Sequence, residues 1–290
     1  MGSRNYYYLV AGLPDLSIDQ GKLQFGSVEF REYLKQELSQ QDYELILWLF
    51  LPFDNQNLLS LIQKSDKEWN TAGIYSKEEL ELAIMEEQAP DKILYDEKSN
   101  VKPYIKEFIK SAVKEDRSTN ISLENELSTL YYNDAMKLKN QFVKDWFEFD
   151  INLRNLFIFS ASQLYNIPYE NELIGNTSLV KALKQRTGRD LGDASEWPYY
   201  DRVIQISETT DIALREKSID QLRWAFLDEM NTFNYFSIEI IFSYMVKLMI
   251  IERWLKLDPK TGEELFRRLI GDLQSGYEFP NEFSLKDGKK

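Results

Sequence analysis

Apolar residues in this chain recur three and four apart over most of its length and almost never alternate. Leu80, Ile84 and Met85 share one helical face, and Tyr104, Phe108 and Ile109 share another. Start signals accompany the faces. "SKEE" at Ser76 to Glu79 and "TGEE" at Thr261 to Glu264 have the spacing of a capping box, in which the hydroxyl accepts an early helix N–H and the Glu reaches back. Pro103 stands where a first helical turn tolerates its missing donor. "SQQDYELILWLFLPFDNQNLLSLIQK" predicts two short helices, the first capped by Asp42, with a break at Pro52 and a second cap at Asp54 or Asn55. From Ser122 to Asn166 there is neither Gly nor Pro, and Pro168 ends the run. That stretch predicts one long helix, or two joined by a kink near Phe149 and Asp150. "NTSLVKALKQRTG" predicts a capped short helix closed by Gly188. Further helices are expected over 209–231, 236–256 and 261–273, followed by a loosely held tail. "YYYLVAG" reads equally as a short extended segment or the start of a helix. Period-2 runs bounded by turns are otherwise missing, so the expected fold is all-α, built of multi-helix bundle subdomains.

The most apolar stretch, "FSIEIIFSYMVKLMIIERWLK" at 236–256, has the length of a bilayer span, which takes about 20 apolar residues. Its charges argue otherwise. Glu239, Lys247, Glu252, Arg253 and Lys256 leave Ile240 to Val246 as the longest charge-free run. A Lys at mid-membrane costs roughly 2.5–3.5 kcal/mol, so the stretch predicts a central bundle helix covered on most sides, with no direct membrane insertion. Glu239, Ser243 and Lys247 fall at i, i+4 and i+8 and form a narrow polar seam. Glu239 and Lys247 are too far apart to touch, so the seam must face another helix or a partner. In "REKSIDQLRWAFLDEMNTFNYF", Leu222, Phe226 and Met230 make a core stripe that Ile219 and Phe233 extend. Arg215, Asp220, Arg223, Asp228 and Glu229 are expected on a solvated face.

Domain limits follow the punctuation. A helical lobe over 1–70, a polar connecting segment with two helices over 71–120, a helical lobe over 121–273 and a tail over 274–290 are expected. No repeat is legible by identity.

Composition narrows the chemistry. The chain of 290 residues has a net charge of −13, no Cys and no His, with 14% aromatics. Such a charge is repelled by nucleic acid and by anionic headgroups, so neither is an expected partner. Without His or Cys, the triad-type nucleophiles, thiolate sites and His-containing metal sites are excluded. Carboxylate, Lys or Tyr chemistry remains. "RTGRDLGD" has two glycines in a basic context but the spacing of neither common phosphate loop. Asp145, Glu148 and Asp150 are a carboxylate cluster, and Arg154, four residues after Asp150, predicts an ordinary surface ion pair. No catalytic residue, cofactor or metal is expected. The N-terminal "MGSRNYYYLV" lacks a signal-peptide plan, and Tyr6 stands where myristoylation wants Ser or Thr, so an intracellular protein is expected.

At the last helices the sequence resembles a known family. "IALREKSIDQLRWAFLDEMNTFNYFSIEIIFSYMVKLMIIERW" is similar to the closing helices of the C/d-type central-stalk subunits of V-type and A-type rotary ATPases. That family ends with a helical hairpin, a segment like "F-x-I-E-x-I-x-x-Y" and a final helix containing Lys and Glu. Phe236, Ile238, Glu239, Ile241 and Tyr244 match the segment, with Lys247, Glu252 and Arg253 in place. "FEFDINLRN" is similar to the family's acid-then-asparagine helix through Asp150, Asn152 and Asn155. Its spacing from Asp150 to Asn152 departs from the pattern, and Phe159, Ser160 and Ala161 stand where a basic residue is expected. The likeness covers about 125–273. The whole chain, including "YYYLVAGLPDLSID", also resembles an uncharacterised bacterial family associated with V-type ATPase operons.

The resemblance implies a funnel-like body of three small helical subdomains. It would lie peripherally on the cytoplasmic face of the membrane, between the rotor ring and the central-shaft subunits, transmitting torque without catalysing anything. Two other readings stay open. One is a general helical scaffold for a different partner. The other is a carboxylate-dependent hydrolase using an acid such as Asp150 or Glu239. The residues singled out for a partner or a polar seam are Glu239, Ser243, Tyr244, Lys247, Asp150, Asn152 and Arg154.

Overall fold

The computed structural model describes residues 5–88, 99–113, 121–185 and 195–257. Among them the chain is all-α, with twelve helices and no strand. The first six are α1 (Tyr7–Ala11), α2 (Ser27–Glu37), α3 (Gln40–Leu47), α4 (Leu51–Ile62), α5 (Lys77–Gln88) and α6 (Pro103–Ala112). The second six are α7 (Leu123–Ala135), α8 (Gln141–Tyr165), α9 (Ser178–Gln185), α10 (Tyr200–Ser207), α11 (Ile212–Met230) and α12 (Ile238–Leu257). The segment over 261–273 with its "TGEE" box, Gly188 with "RTGRDLGD", and the tail all lie outside the described residues.

Local chemistry sets the helix ends. Ser76 and Glu79 form the expected reciprocal box, with Glu79 N–H donating to Ser76 Oγ at 3.2 Å and Ser76 N–H to Glu79 Oε2 at 2.8 Å. Pro103 opens α6 as expected. The first tyrosines take the helical option, as α1. Elsewhere the boundaries move. Ser39, not Asp42, caps α3, because its hydroxyl accepts the Asp42 N–H at 3.2 Å and its own backbone is extended. The break before α4 falls at 48–50, and Pro52 lies inside the first turn of α4, where no donor is needed. Asp54 is therefore a first-turn residue and caps nothing. The run without Gly or Pro is divided at 136–140, not at Phe149. Asn140 caps α8 by accepting the Val143 N–H at 3.0 Å, and α8 passes unbroken through Asp150 to a left-handed Asn166.

One contiguous buried cluster extends from Tyr6 to Ile250. Its centre is aromatic. Trp48, Tyr104, Tyr131 and Phe147 meet ring to ring, and Phe149 of α8 stacks on Phe226 of α11 at 3.9 Å between centroids. α12 lies in the middle, packed on α2, α3, α8 and α11, with Ile241, Phe242, Met245 and Ile251 wholly buried. No single helix among the described residues is long and apolar enough to cross a membrane; the bent pair α3–α4 passes that test on length and composition alone. Both of its helices contribute to the same buried cluster. The apolar character of α12 is thus accounted for by its neighbours within the chain.

Two pins fix the loop before α5. Asp54, fully buried, accepts the backbone N–H groups of Ile74 and Tyr75 at 3.0 Å. Arg31, also buried, donates to the carbonyl of Ala72 at 2.6 Å and lies over the Phe50 ring. Burial pushes the Asp54 carboxyl up to about 6, against the two backbone donors, which act to lower it.

Candidate functional site

α11 and α12 run antiparallel, and polar pairs recur along the seam. Asn231 donates to Ser243 Oγ at 2.6 Å, Lys247 pairs with Asp228, and Arg253 pairs with Asp220 and, at 3.3 Å, with Glu216. Each pair steps back along α11 as it steps forward along α12, which is the geometry of a hairpin closed by residues 231–237. Lys247 also lies over the Trp224 ring at 4.8 Å.

A larger network branches from this hairpin. Asp220 is 1% exposed and accepts from Arg223 at 3.1 Å, from Trp254 Nε1 at 2.8 Å and from Arg253. Arg223 reaches on to Asp150 of α8 at 2.9 Å, and Asp150 accepts the Tyr132 hydroxyl of α7 at 2.6 Å. Four helices are therefore joined through one chain of ion pairs and hydrogen bonds. Burial acts to lower the Arg223 pKa, but the carboxylates of Asp150 and Asp220 outweigh it and hold the guanidinium above its ordinary value. Burial, then the Asp150 charge, raises the Tyr132 phenol well above its usual range.

The expected ion pair between Asp150 and Arg154 does not form. Asp150 is claimed by Arg223, and Arg154 turns to Asn125 Oδ1 at 3.2 Å. Asp220 and Arg223 are likewise not on a solvated face, since the i, i+3 pair is folded between α8 and α12. Phe233 does not extend the core stripe. It stands 87% exposed, because α11 ends at Met230 and the chain turns before Phe233 can reach the core.

The other residues singled out are dispersed. Glu239 accepts from Asn140 Nδ2 at 2.8 Å, which ties the start of α12 to the cap of α8. Asn152 is buried and accepts the Thr177 hydroxyl at 2.6 Å. Asn155, fully buried, accepts the Ile174 N–H at 2.9 Å and donates to the Ile174 carbonyl at 2.8 Å, completing a peptide-like pair. Tyr244 packs on Phe25 and Phe30, and its hydroxyl has no partner among the described residues. Burial, with a smaller contribution from Asp15, pushes that phenol up to about 12. The polar seam of Glu239, Ser243 and Lys247 thus faces α8 and α11 of the same chain.

Sequence reading also missed the role of Glu252. Its carboxylate accepts the Ser27 N–H at 2.7 Å and so closes the N-terminus of α2, which has Gly26 at its cap and no side chain of its own to serve. A helix that opens on Gly-Ser without a usable cap is the one signal that an outside acceptor is needed.

A groove of about 1220 Å³ opens beside the network between α8, α10 and α11. Asp150, Arg154, Arg215, Arg223 and Arg253 line it over an apolar floor that includes Phe157 and Ile158. A carboxylate acid–base pair needs two acids in divergent environments facing a cleft. Here Asp150 shares the Arg223 guanidinium with Asp220, which does not line the groove; the other acids that do are Glu208 and Glu216, the latter paired with Arg253. Asp54, whose carboxyl burial raises to about 6, is sealed in the core.

Comparison with known proteins adds one match. Residues 3–277 fit the family described as "Protein of unknown function (DUF2764)". No curated protein and no solved structure matches the chain.

Proposed function

We propose that this chain, which belongs to the DUF2764 family, is a non-catalytic adaptor in the central stalk of a rotary V-type ATPase. It would lie on the cytoplasmic face, as a funnel-like body linking the membrane rotor ring to the central shaft and transmitting torque. The α11–α12 hairpin is the observation that carries this reading. The residues that resemble the closing segment of the C/d-type stalk proteins fold as an antiparallel helical hairpin, as that resemblance implies. Its charged side chains tie it to α2 and α8, and through Asp150 to α7, the construction a mechanical coupler needs. Torque passes only through a body whose elements do not slide, and interlocked aromatic packing with buried ion pairs resists sliding.

A general helical scaffold is the second reading, and the same rigid core supports it. The hydrolase reading is disfavoured by the engagement of Asp150 and Asp220 with Arg223. Sedimentation of a detergent extract tests the proposal. The chain should travel with the ATPase head and rotor ring, and the recombinant protein should hydrolyse no ATP. Migration apart from every component of the rotary complex would overturn it.

A further inference from the structure

Two charge-free runs, residues 5–14 and 230–238, are brought together where α1 meets the connection between α11 and α12. The Tyr6 N–H donates to the Phe236 carbonyl at 2.5 Å, and the rings of Tyr7 and Phe236 lie 4.7 Å apart. Around this joint the aromatic side chains face outward. Tyr8 is 97% exposed, Phe233 87% and Tyr235 68%, with Tyr7 half exposed beside them. Tyr8 also rims a shallow apolar groove of about 360 Å³ with Leu13, Phe25 and Phe30. Exposed single aromatics are ordinary, but several of them on two segments joined to each other, α1 and the 231–237 connection, have the composition of an interface centre.

Among the described residues, the charges that flank these two runs along the chain are acidic. Asp15 follows the first run, Glu229 and Glu239 bracket the second, and Glu29 shares the groove with Tyr8; Arg4 lies outside the described residues. Such a border repels anionic lipid and acidic protein, and complements a surface with basic residues around an apolar centre. We infer that the α1 and 231–237 surface docks a protein partner with an apolar centre and a basic rim, Tyr8 and Phe233 being its anchors. The inference rests on the adaptor reading, within which this is the surface that meets the ATPase rotor.

Tyr8→Ser and Phe233→Ser together test it, since both side chains are too exposed to support the core. Helicity and melting temperature should not change. The tagged full chain and the double variant are each incubated with a detergent extract of the source cells, and captured rotor-ring and shaft proteins are quantified by mass spectrometry. The expected result is at least a tenfold loss of those proteins with the variant. Equal capture by both would overturn the patch and leave the adaptor reading standing. Failure of the unmodified chain to hold any component of the rotary complex would overturn both. Patch-dependent binding to protein-free phosphatidylcholine vesicles, at the strength seen with the extract, would place a membrane there and overturn the protein partner.

Discussion

Trp254 donates its indole N–H to Asp220 across the α11–α12 hairpin at 2.8 Å. Asp220 is almost wholly buried and takes Arg223 and Arg253 as well, so it is the point where α8, α11 and α12 are fastened. Replacing Asp220 with Ala should cost about 3 kcal/mol, because the Trp254 indole and the guanidinium groups of Arg223 and Arg253 all lose a buried acceptor. Asp220→Asn keeps a carbonyl acceptor and should lose roughly half as much. Urea titration followed by circular dichroism measures both. A loss within about 0.5 kcal/mol, as at ordinary surface sites, would mean that the network is decorative.

Asn155 makes a second fastening, to the loop before α9. Asn155→Ala leaves the Ile174 N–H and carbonyl unpaired in the core and should cost about 2–4 kcal/mol. Asn155→Asp should be worse at neutral than at acid pH, because a carboxylate would face the Ile174 carbonyl in place of a donor. A stability difference from the unmodified protein that does not vary between pH 4 and 7 would contradict this arrangement.

Gly175 has φ of +75°, and a Cβ added there would stand 2.2 Å from Ile151 Cδ1. Gly175→Ala should therefore destabilise by about 2–4 kcal/mol, combining left-handed backbone strain with overpacking. Ile151→Val removes the atom that clashes. The double variant should then be more stable than the sum of the two single losses predicts, by about 1 kcal/mol, and strict additivity would count against the contact.

Asp54 gives a pH signature of definite sign. Its carboxyl is raised from the usual 3.8 to about 6, so the folded state holds the proton more tightly than the unfolded chain. Its contribution is fullest below pH 4 and is lost as the pH rises through about 6, a change of about 3 kcal/mol at about 1.4 kcal/mol per unit. Asp54→Asn has no such dependence. Stability of the unmodified protein minus that of Asp54→Asn should fall between pH 4 and 7. A rise would mean that the backbone donors of Ile74 and Tyr75 outweigh burial.

Helix type was legible in the chain because it depends on local spacing. Ser76 with Glu79 and Pro103 announce their helices, and the charges within 236–256 separate a core helix from a span. Boundaries were less legible where two candidate caps compete. Ser39 and Asp42 both suit the start of α3, and only the extended backbone at Ser39 decides between them. The site was legible in its parts and hidden in its pairing. Asp150 has Arg154 one turn away, yet its cation comes from Arg223, seventy-three residues on, because packing Phe149 against Phe226 brings α8 and α11 together there. Spacing along one helix cannot show which charges a second helix will bring, and so Asp220 and Arg223 read as solvent-facing. Glu239, Ser243 and Lys247 showed as a seam, while Asn140, Asn231 and Asp228, which fill it, gave no sign.

Energised membrane vesicles from cells depleted of the chain offer the most direct test, with ATP hydrolysis and ATP-driven ion uptake followed together. A coupler predicts that hydrolysis by the head persists while ion uptake is lost, and that adding back the purified protein restores it. Ion uptake at the normal rate in vesicles shown to lack the chain would contradict the account.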